Sequence, residues 1–208
     1  MFFLVDTKSG KKENMGMIPV SWQCDCEEEE QQCYQGGFPQ EDGIIRYGDY
    51  VQFRHVQTGR FINTNEGQYD GGSFQQHVYA SEAAETTWVV VPPCGSDEKL
   101  GYEVGWDDEV LFKPFDFPNH RLHSSPGVES PSSAQQEVSC FAESDENDNW
   151  KVVRASDDCC DDFWRVSEQF YLVHVNSGSS LHTHEIEYCG ENEVTSFGEW
   201  DENSIFVV

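Results

Sequence analysis

Two histidines spaced two residues apart, His182 and His184, are the side chains of this chain best placed by type and spacing to do chemistry. If they lie on a β-strand, residues i and i+2 share one face, so both imidazoles would meet the same ligand. Together with Glu185 they could hold a metal ion, or they could donate hydrogen bonds to a sugar or a carboxylate. A third interpretation is that they hydrogen-bond within their own hairpin, and the spacing alone leaves all three open.

An acidic turn supplies a second candidate, because Asp145, Asn147 and Asn149 alternate as they do in a calcium-binding loop. The central glycine and the distal bidentate glutamate of such a loop are missing, however. Asp and Asn are also the residues that form turns by hydrogen-bonding to their own backbone. We therefore predict a turn at this place rather than a calcium site.

The eight cysteines are even in number, which allows disulfides without showing them. Cys24, Cys26 and Cys33 lie close together near the N-terminus, but their spacing does not match the paired pattern of zinc sites. Disulfides or free thiols are favoured over a metal for these three. Cys140 falls in a predicted strand, which predicts a buried free thiol. We expect no metal site and no cofactor.

Catalytic motifs are missing from the sequence. It contains no nucleophile elbow, no H-E-x-x-H and no phosphate-binding loop. Acidic residues are so common that pairs of them carry no signal, because a glycosidase depends on a carboxylate separation that sequence does not reveal. An acidic surface also raises the pKa of thiols, which disfavours cysteine catalysis. We predict that the protein is not an enzyme.

Charge sets limits on the partners. The chain has 39 acidic and 12 basic residues, a formal net charge of −27, and three of the basic residues lie among the first twelve. Such a surface repels nucleic acid and anionic membranes. It favours basic partners, divalent cations or high salt, while the alternative is that the charge serves only solubility.

Targeting signals are also missing. No apolar run approaches the roughly 18 residues that indicate a transmembrane helix. The start, "MFFLVDTKSGKK", is too short in apolar residues for a secretory signal, and "IFVV" is not an ER-retention sequence. Taken literally, these features predict a cytosolic protein, although a trimmed mature chain would look the same.

Internal repeats show which elements must position these residues. Three sets of anchor residues recur at intervals of 56 to 62 residues. The sets are Ile62, Leu122 and Leu181; Val78, Val138 and Val194; and Trp88, Trp150 and Phe206. Three copies of this length predict a closed threefold object, with the aromatic anchors filling its centre.

Each repeat is predicted to form four short strands. In the first strand Val51, Phe53 and His55 alternate with more polar residues, as in a half-buried strand. Short strands separated by turn signals are typical of an all-β barrel. We predict an N-terminal acidic, cysteine-containing extension over residues 1–44 and a barrel domain over 45–208, with repeats at about 45–92, 102–154 and 164–208.

Three motifs in register resemble a known family. "LHSS" and "LHTH", "QQEVSCF" and "ENEVTSF", and "DENDNW" and "DENSIF" resemble the MIR motif of protein mannosyltransferases, inositol trisphosphate receptors and ryanodine receptors. Small proteins of the stromal-cell-derived-factor type share it. The resemblance covers about residues 45–208 and implies an all-β β-trefoil of three MIR repeats with twelve short strands. It also favours structural hydrogen bonds for the motif histidines.

The resemblance implies a non-catalytic module that recognises glycan or protein ligands in secretory-pathway glycosylation or quality control, placed in the ER lumen. Binding of inositol phosphates is not expected, because the nine basic residues of 45–208 form no cluster. The alternative is a structural subunit whose extension contacts a neighbour, in a homo- or hetero-assembly. The candidate ligand-binding residues are the polar hairpin positions Asn63, Thr64, Gln76, His123, Ser124, Gln136, His182, Thr183, His184 and Glu193.

Overall fold

The structure of the chain, a computed structural model, describes residues 36–93, 95–156 and 161–208. The compact unit that they form begins at Gly36. Most of the predicted extension over residues 1–44, with its three cysteines, therefore lies outside the described residues, while 36–44 lie inside the compact unit. Cys140 is a buried free thiol, as predicted, and its burial raises its pKa to about 12.

Thirteen short strands are found in the described ranges, and the sequence predicts twelve. The additional strand arises because the first strand of repeat 1 is divided in two around Gln52 and Phe53. Repeat 1 contains β1 (Tyr50–Val51), β2 (Arg54–His55), β3 (Phe61–Gln68), β4 (Gln76–Ser81) and β5 (Trp88–Val91). Repeat 2 contains β6 (Glu109–Pro114), β7 (Arg121–Glu129), β8 (Gln136–Phe141) and β9 (Trp150–Arg154). Repeat 3 contains β10 (Phe170–His174), β11 (Ser180–Tyr188), β12 (Glu191–Phe197) and β13 (Phe206–Val207).

The helical content of the described residues is limited to three short 3₁₀ turns at Asp97–Lys99, Glu146–Asp148 and Glu202–Ser204. Two of them form the turn that links the third and fourth strands of repeats 2 and 3. None of these turns is long or apolar enough to cross a membrane.

The first and fourth strands of the repeats close an antiparallel barrel. Around the barrel, β1 pairs with β5, β5 with β6, β6 with β9, β9 with β10, β10 with β13, and β13 with β2. The second and third strands form three hairpins, and the third strands β4, β8 and β12 also pair with one another around the threefold axis. A barrel closed by three hairpins is a β-trefoil, so the predicted fold is confirmed.

Aromatic anchors fill the barrel as predicted. Trp88, Trp150 and Phe206 are completely buried. The two indoles each donate a hydrogen bond to a backbone carbonyl of the neighbouring hairpin, Trp88 to Ile62 (2.9 Å) and Trp150 to Leu122 (3.0 Å). Phe206 cannot make this bond, so repeat 3 joins its hairpin to the barrel by packing alone at this position.

Candidate functional site

Three hydroxyl side chains at equivalent places join the two strands of each hairpin. All three are buried, and each donates to a backbone carbonyl of the facing strand. The pairs are Thr64 to His77 O (2.8 Å), Ser124 to Glu137 O (2.8 Å) and Thr183 to Glu193 O (3.0 Å). These candidate residues therefore hold the hairpin register.

Asn63 links its hairpin to the following turn in repeat 1. Its side-chain NH₂ donates to Ser81 Oγ (2.9 Å) and to Ala83 O (2.8 Å). Its side-chain oxygen accepts from the backbone N–H groups of Glu85 and Thr86, both at 2.9 Å. The amide uses both its donor and its acceptor capacity in these bonds, and it is completely buried.

His123 takes the same place in repeat 2. Its Nδ1 lies 3.0 Å from Asp148 Oδ1, and its Nε2 lies 2.8 Å from Ser125 Oγ. Asp145 caps the 3₁₀ turn by accepting from Asn147 N, and Asp148 accepts from Asp145 N. His123, Asp145 and Asp148 also form a group whose potential ligand atoms lie within 4.8 Å of one another. Both imidazole nitrogens are already hydrogen-bonded, so the predicted turn chemistry describes this group better than metal ligation.

His182 and His184 share one face of β11, as the sequence predicts. Their ring centroids are 5.0 Å apart. His182 Nδ1 lies 3.4 Å from Thr195 Oγ1 and its Nε2 lies 3.7 Å from Asp201 Oδ1, while burial lowers its pKa to about 4. His184 Nε2 is buried, lies 3.6 Å from Glu193 Oε2 and has no hydrogen-bond partner in the described part of the chain.

Buried carboxylates lie close to the threefold axis, each covered by the hairpin loop of the preceding repeat. Glu137 of repeat 2 accepts hydrogen bonds from the hydroxyl and the backbone N–H of Ser73 in repeat 1. Glu193 of repeat 3 accepts from the backbone N–H groups of Ser132 (3.0 Å) and Ser133 (3.1 Å) in repeat 2. Charge-assisted hydrogen bonds thus join repeat 1 to repeat 2 and repeat 2 to repeat 3.

His77 occupies the corresponding position in repeat 1, where a third such link would join repeat 3 to repeat 1. The hairpin of repeat 3 presents Tyr188 to it, and Tyr69 and Tyr79 also lie against the imidazole, with ring centroids 5.1 to 5.2 Å away. Burial lowers the pKa of His77 to about 4, and its Nε2 has no partner among the described side chains and backbone atoms. The sequence interpretation did not include His77 or Glu137, although both directly precede an anchor valine.

An open groove of about 520 Å³ lies between the hairpin of repeat 1 and the loop that follows β6 in repeat 2. Phe74 is 64% exposed at its edge and has φ of +58°, a conformation unusual for a bulky residue. Phe117 and His120 face it from the loop, and Gln76 is the candidate residue that lines it. The remaining lining residues are Glu66, Gln68, Ser73, Gln75, Cys140, Phe141 and Ala142.

The corresponding place between repeats 2 and 3 is arranged differently. Ala134, with the same φ of +58°, replaces Phe74. Gln136 donates to Ser177 Oγ (3.2 Å) and lies 3.5 Å from His174 Nδ1, so local side chains engage its amide. The sequence contains one sign that these two places differ. The segment "FDFPN" of repeat 2 is longer than the "VNSG" turn at the equivalent place in repeat 3.

The ten candidate residues do not converge on one pocket. The structure distributes them over three hairpins, where most of them hydrogen-bond to their own repeat, and it brings Glu193 together with His184 near the axis. Phe74, Phe117 and His120 were not among the candidates. Aromatic residues that follow no repeated pattern are difficult to identify as site residues from a single sequence, because their surroundings depend on loops distant along the chain.

Comparison with known proteins relates the chain to one group of small proteins. No family model matches it. A stromal cell-derived factor 2-like protein of Arabidopsis thaliana is 27% identical over 176 residues, which cover 78% of this chain and 77% of that protein. The crystal structure of the SDF2-like protein from Arabidopsis thaliana matches with a TM-score of 0.73 and 27% identity, over 79% of this chain and 93% of that chain.

A more distant structural likeness extends to an enzyme complex of S. cerevisiae. The protein O-mannosyltransferase Pmt1-Pmt2 complex, solved bound to the sugar donor, matches with a TM-score of 0.65 and 19% identity. The match covers 79% of this chain and 25% of that chain. At this identity the likeness shows a shared fold alone.

Proposed function

We propose that the chain, which is similar to SDF2-like proteins and resembles the MIR-domain family, is a non-catalytic β-trefoil module that binds neutral carbohydrate on protein partners in the secretory pathway. The names of its relatives state no enzymatic activity. The association of the same fold with a mannosyltransferase complex supports a place beside glycosylation. A trefoil fold does not by itself specify a ligand, whereas the groove of repeat 1 offers a defined surface for one.

The exposure of the Phe74 ring at the edge of the groove is the main support for the proposal. A large exposed ring occupies the left-handed turn position that the small Ala134 fills in repeat 2, so the turn itself does not require an aromatic side chain there. The ring of Phe74 supplies an apolar face on which the C–H groups of a sugar can stack. Apolar faces with a few well-placed polar groups are the usual composition of small-molecule sites.

Polar groups at the rim of the groove match sugar hydroxyls. Glu66 supplies a carboxylate, and Gln68 and Gln75 supply amides, which together accept and donate hydrogen bonds. None of the lining residues of the groove is Lys or Arg. With the acidic surface of the whole chain, this composition favours neutral over anionic saccharides.

The candidate hairpin residues have a positioning role in this proposal. Thr64 accepts a hydrogen bond from Gln76 Nε2 (3.0 Å), and Gln76 forms part of the groove wall. Glu137 anchors Ser73, which directly precedes Phe74. The buried network thereby orients the hairpin that presents the aromatic ring.

Glycan-array binding of the full-length chain tests the proposal. The array should carry neutral and sialylated oligosaccharides, and we expect binding to neutral ones. Phe74→Gly should abolish that binding while relieving backbone strain, so the variant stays folded. Ala134→Gly is the matched control, since it makes the same backbone change at the equivalent position without removing an aromatic ring. Absence of binding by a folded wild-type chain would contradict the proposal.

A structural role as an assembly subunit is the second candidate. Phe38 is 70% exposed and Phe115 is 43% exposed, and both rings contact Tyr50, with centroids 6.0 and 5.4 Å away. An exposed aromatic cluster of this kind fits a second copy of the chain. Light scattering coupled to gel filtration distinguishes the two roles: a dimer that Phe38→Ser dissociates supports assembly, and a monomeric wild-type chain excludes self-assembly.

A further inference from the structure

Trp200 is an exposed tryptophan in the turn that follows β12. It is 45% exposed, and Ser144 stands at the same place in repeat 2. Its ring centroid lies 5.4 Å from that of Tyr171 on β10, with an interplanar angle of 37°, and its Nε1 donates to Gly178 O (3.3 Å). The indole is therefore held at two points while nearly half of its surface remains open to solvent.

Acidic residues lie next to Trp200 along the chain. Glu199 and Asp201 flank Trp200 directly, and Glu202 follows. Asp201 is oriented by the turn, because its carboxylate accepts from Asn203 N (2.9 Å). Lys151 lies on the neighbouring strand β9, where its register partners are Val173 on one side and Glu109 on the other. The turn that carries Trp200 holds three carboxylates and no basic residue.

We propose that Trp200 and Tyr171 bind an arginine or lysine side chain of a basic polypeptide segment. A cation over the face of an aromatic ring is attracted by the ring quadrupole, and tryptophan is the best of the aromatic residues for this purpose. The neighbouring carboxylates add charge-assisted hydrogen bonds. The net charge of −27 attracts such a segment before contact is made.

Arginine should bind better than lysine at this place. Its guanidinium is planar, so it stacks on the indole while its edge donors remain available to the carboxylate of Glu199, whereas an ammonium is a strongly hydrated point charge. Attraction by net charge alone would treat the two residues alike. This surface lies in repeat 3, it is separate from the carbohydrate groove of repeat 1, and it does not depend on the proposed function.

Calorimetric titration of the full-length chain with synthetic peptides tests the inference. The probes are a hexapeptide of alternating arginine and serine, the lysine analogue, and the citrulline analogue, which keeps the shape of arginine without its charge. At physiological ionic strength we expect the arginine peptide to bind, the lysine peptide to bind more weakly and the citrulline peptide not to bind.

Trp200→Ser, which installs the residue of repeat 2, should weaken arginine-peptide binding about three- to fivefold. Phe163→Ser is the matched control, because Phe163 is 37% exposed and follows Asp161 and Asp162, and it should leave binding within about 1.5-fold of wild type. Thermal unfolding confirms that both variants are folded. Failure of the arginine peptide to bind, or an equal effect of the two substitutions, would overturn the inference.

Discussion

His77 shows how a single change within a repeated pattern alters the chemistry of the threefold axis. The equivalent residues Glu137 and Glu193 are carboxylates capped by the preceding repeat, but His77 is enclosed by tyrosine rings. Burial holds its pKa at about 4, below the ordinary 6.5, so it is neutral at pH 7. A neutral imidazole without a partner for Nε2 is tolerated there, whereas a charged one is not.

Acidification should destabilise the protein. The unfolded chain binds more protons than the folded chain between the two pKa values of such a histidine, so the free energy of unfolding falls as the pH drops from about 6.5 towards 4. Burial raises the pKa of Glu137, which acts in the opposite sense, but five histidines have lowered pKa values. They are His55, His77, His120, His174 and His182.

The size of the effect can be measured by urea unfolding between pH 7 and pH 4.5. We expect a loss on the order of 4 kcal/mol in wild type, because His77 and His182 each contribute about 2 kcal/mol, and about 2 kcal/mol less in His77→Gln, which no longer takes up a proton at the axis. An identical pH dependence in the two proteins would show that His77 is not part of the response.

The polar motif residues stabilise the hairpins, because their side-chain hydrogen bonds fix the shape of each hairpin. Asn63 makes four such bonds to the end of β4 and to the turn that follows it in repeat 1. Asn63→Ala should lower the free energy of unfolding by about 2–4 kcal/mol, since it leaves buried N–H and C=O groups without partners. Gln68→Ala, an exposed change on the same strand, should stay within about 0.5 kcal/mol in denaturant titrations.

The hairpin loop of repeat 1 covers the buried carboxylate of Glu137. Gly72 has φ of +60°, and a Cβ added to it would collide with Glu137 Oε2. Gly127 has φ of +85° with nothing within 4 Å of an added Cβ, so it isolates the backbone contribution. We expect Gly127→Ala to cost about 1 kcal/mol and Gly72→Ala about 2–4 kcal/mol. Equal losses in urea titrations would mean that the loop yields without disturbing the carboxylate.

The whole molecule carries a charge that opposes its own compact state. A formal net charge of −27 on 208 residues produces self-repulsion that salt screens over about 10 Å at 0.1 M. Raising sodium chloride from 0.02 M to 0.5 M shortens the screening length from roughly 20 Å to roughly 4 Å. This change should raise the melting temperature by about 2–4 °C, equivalent to about 1 kcal/mol. Calcium chloride at matched ionic strength should give the same rise, and a clearly larger rise would indicate specific calcium binding.

The trefoil could be predicted from the sequence because its signals are local and repeated. Alternation at Val51, Phe53 and His55 predicts a strand from neighbouring residues alone, and those three side chains are buried. The recurrence of Trp88, Trp150 and Phe206 then predicts three equal units around one core. Secondary-structure periodicity and repeat spacing survive in a single sequence, since both depend only on the order of residues.

The surroundings of the candidate residues were decided only by the tertiary structure. Hairpin pairing around the axis brings Ser73 onto Glu137 and Ser132 onto Glu193, about sixty residues away along the chain. The same pairing leaves His77 among tyrosines and opens the groove beside Phe74. Burial, pKa and exposure depend on these long-range contacts, so local order determines which residues are available and three-dimensional packing determines what each of them can do.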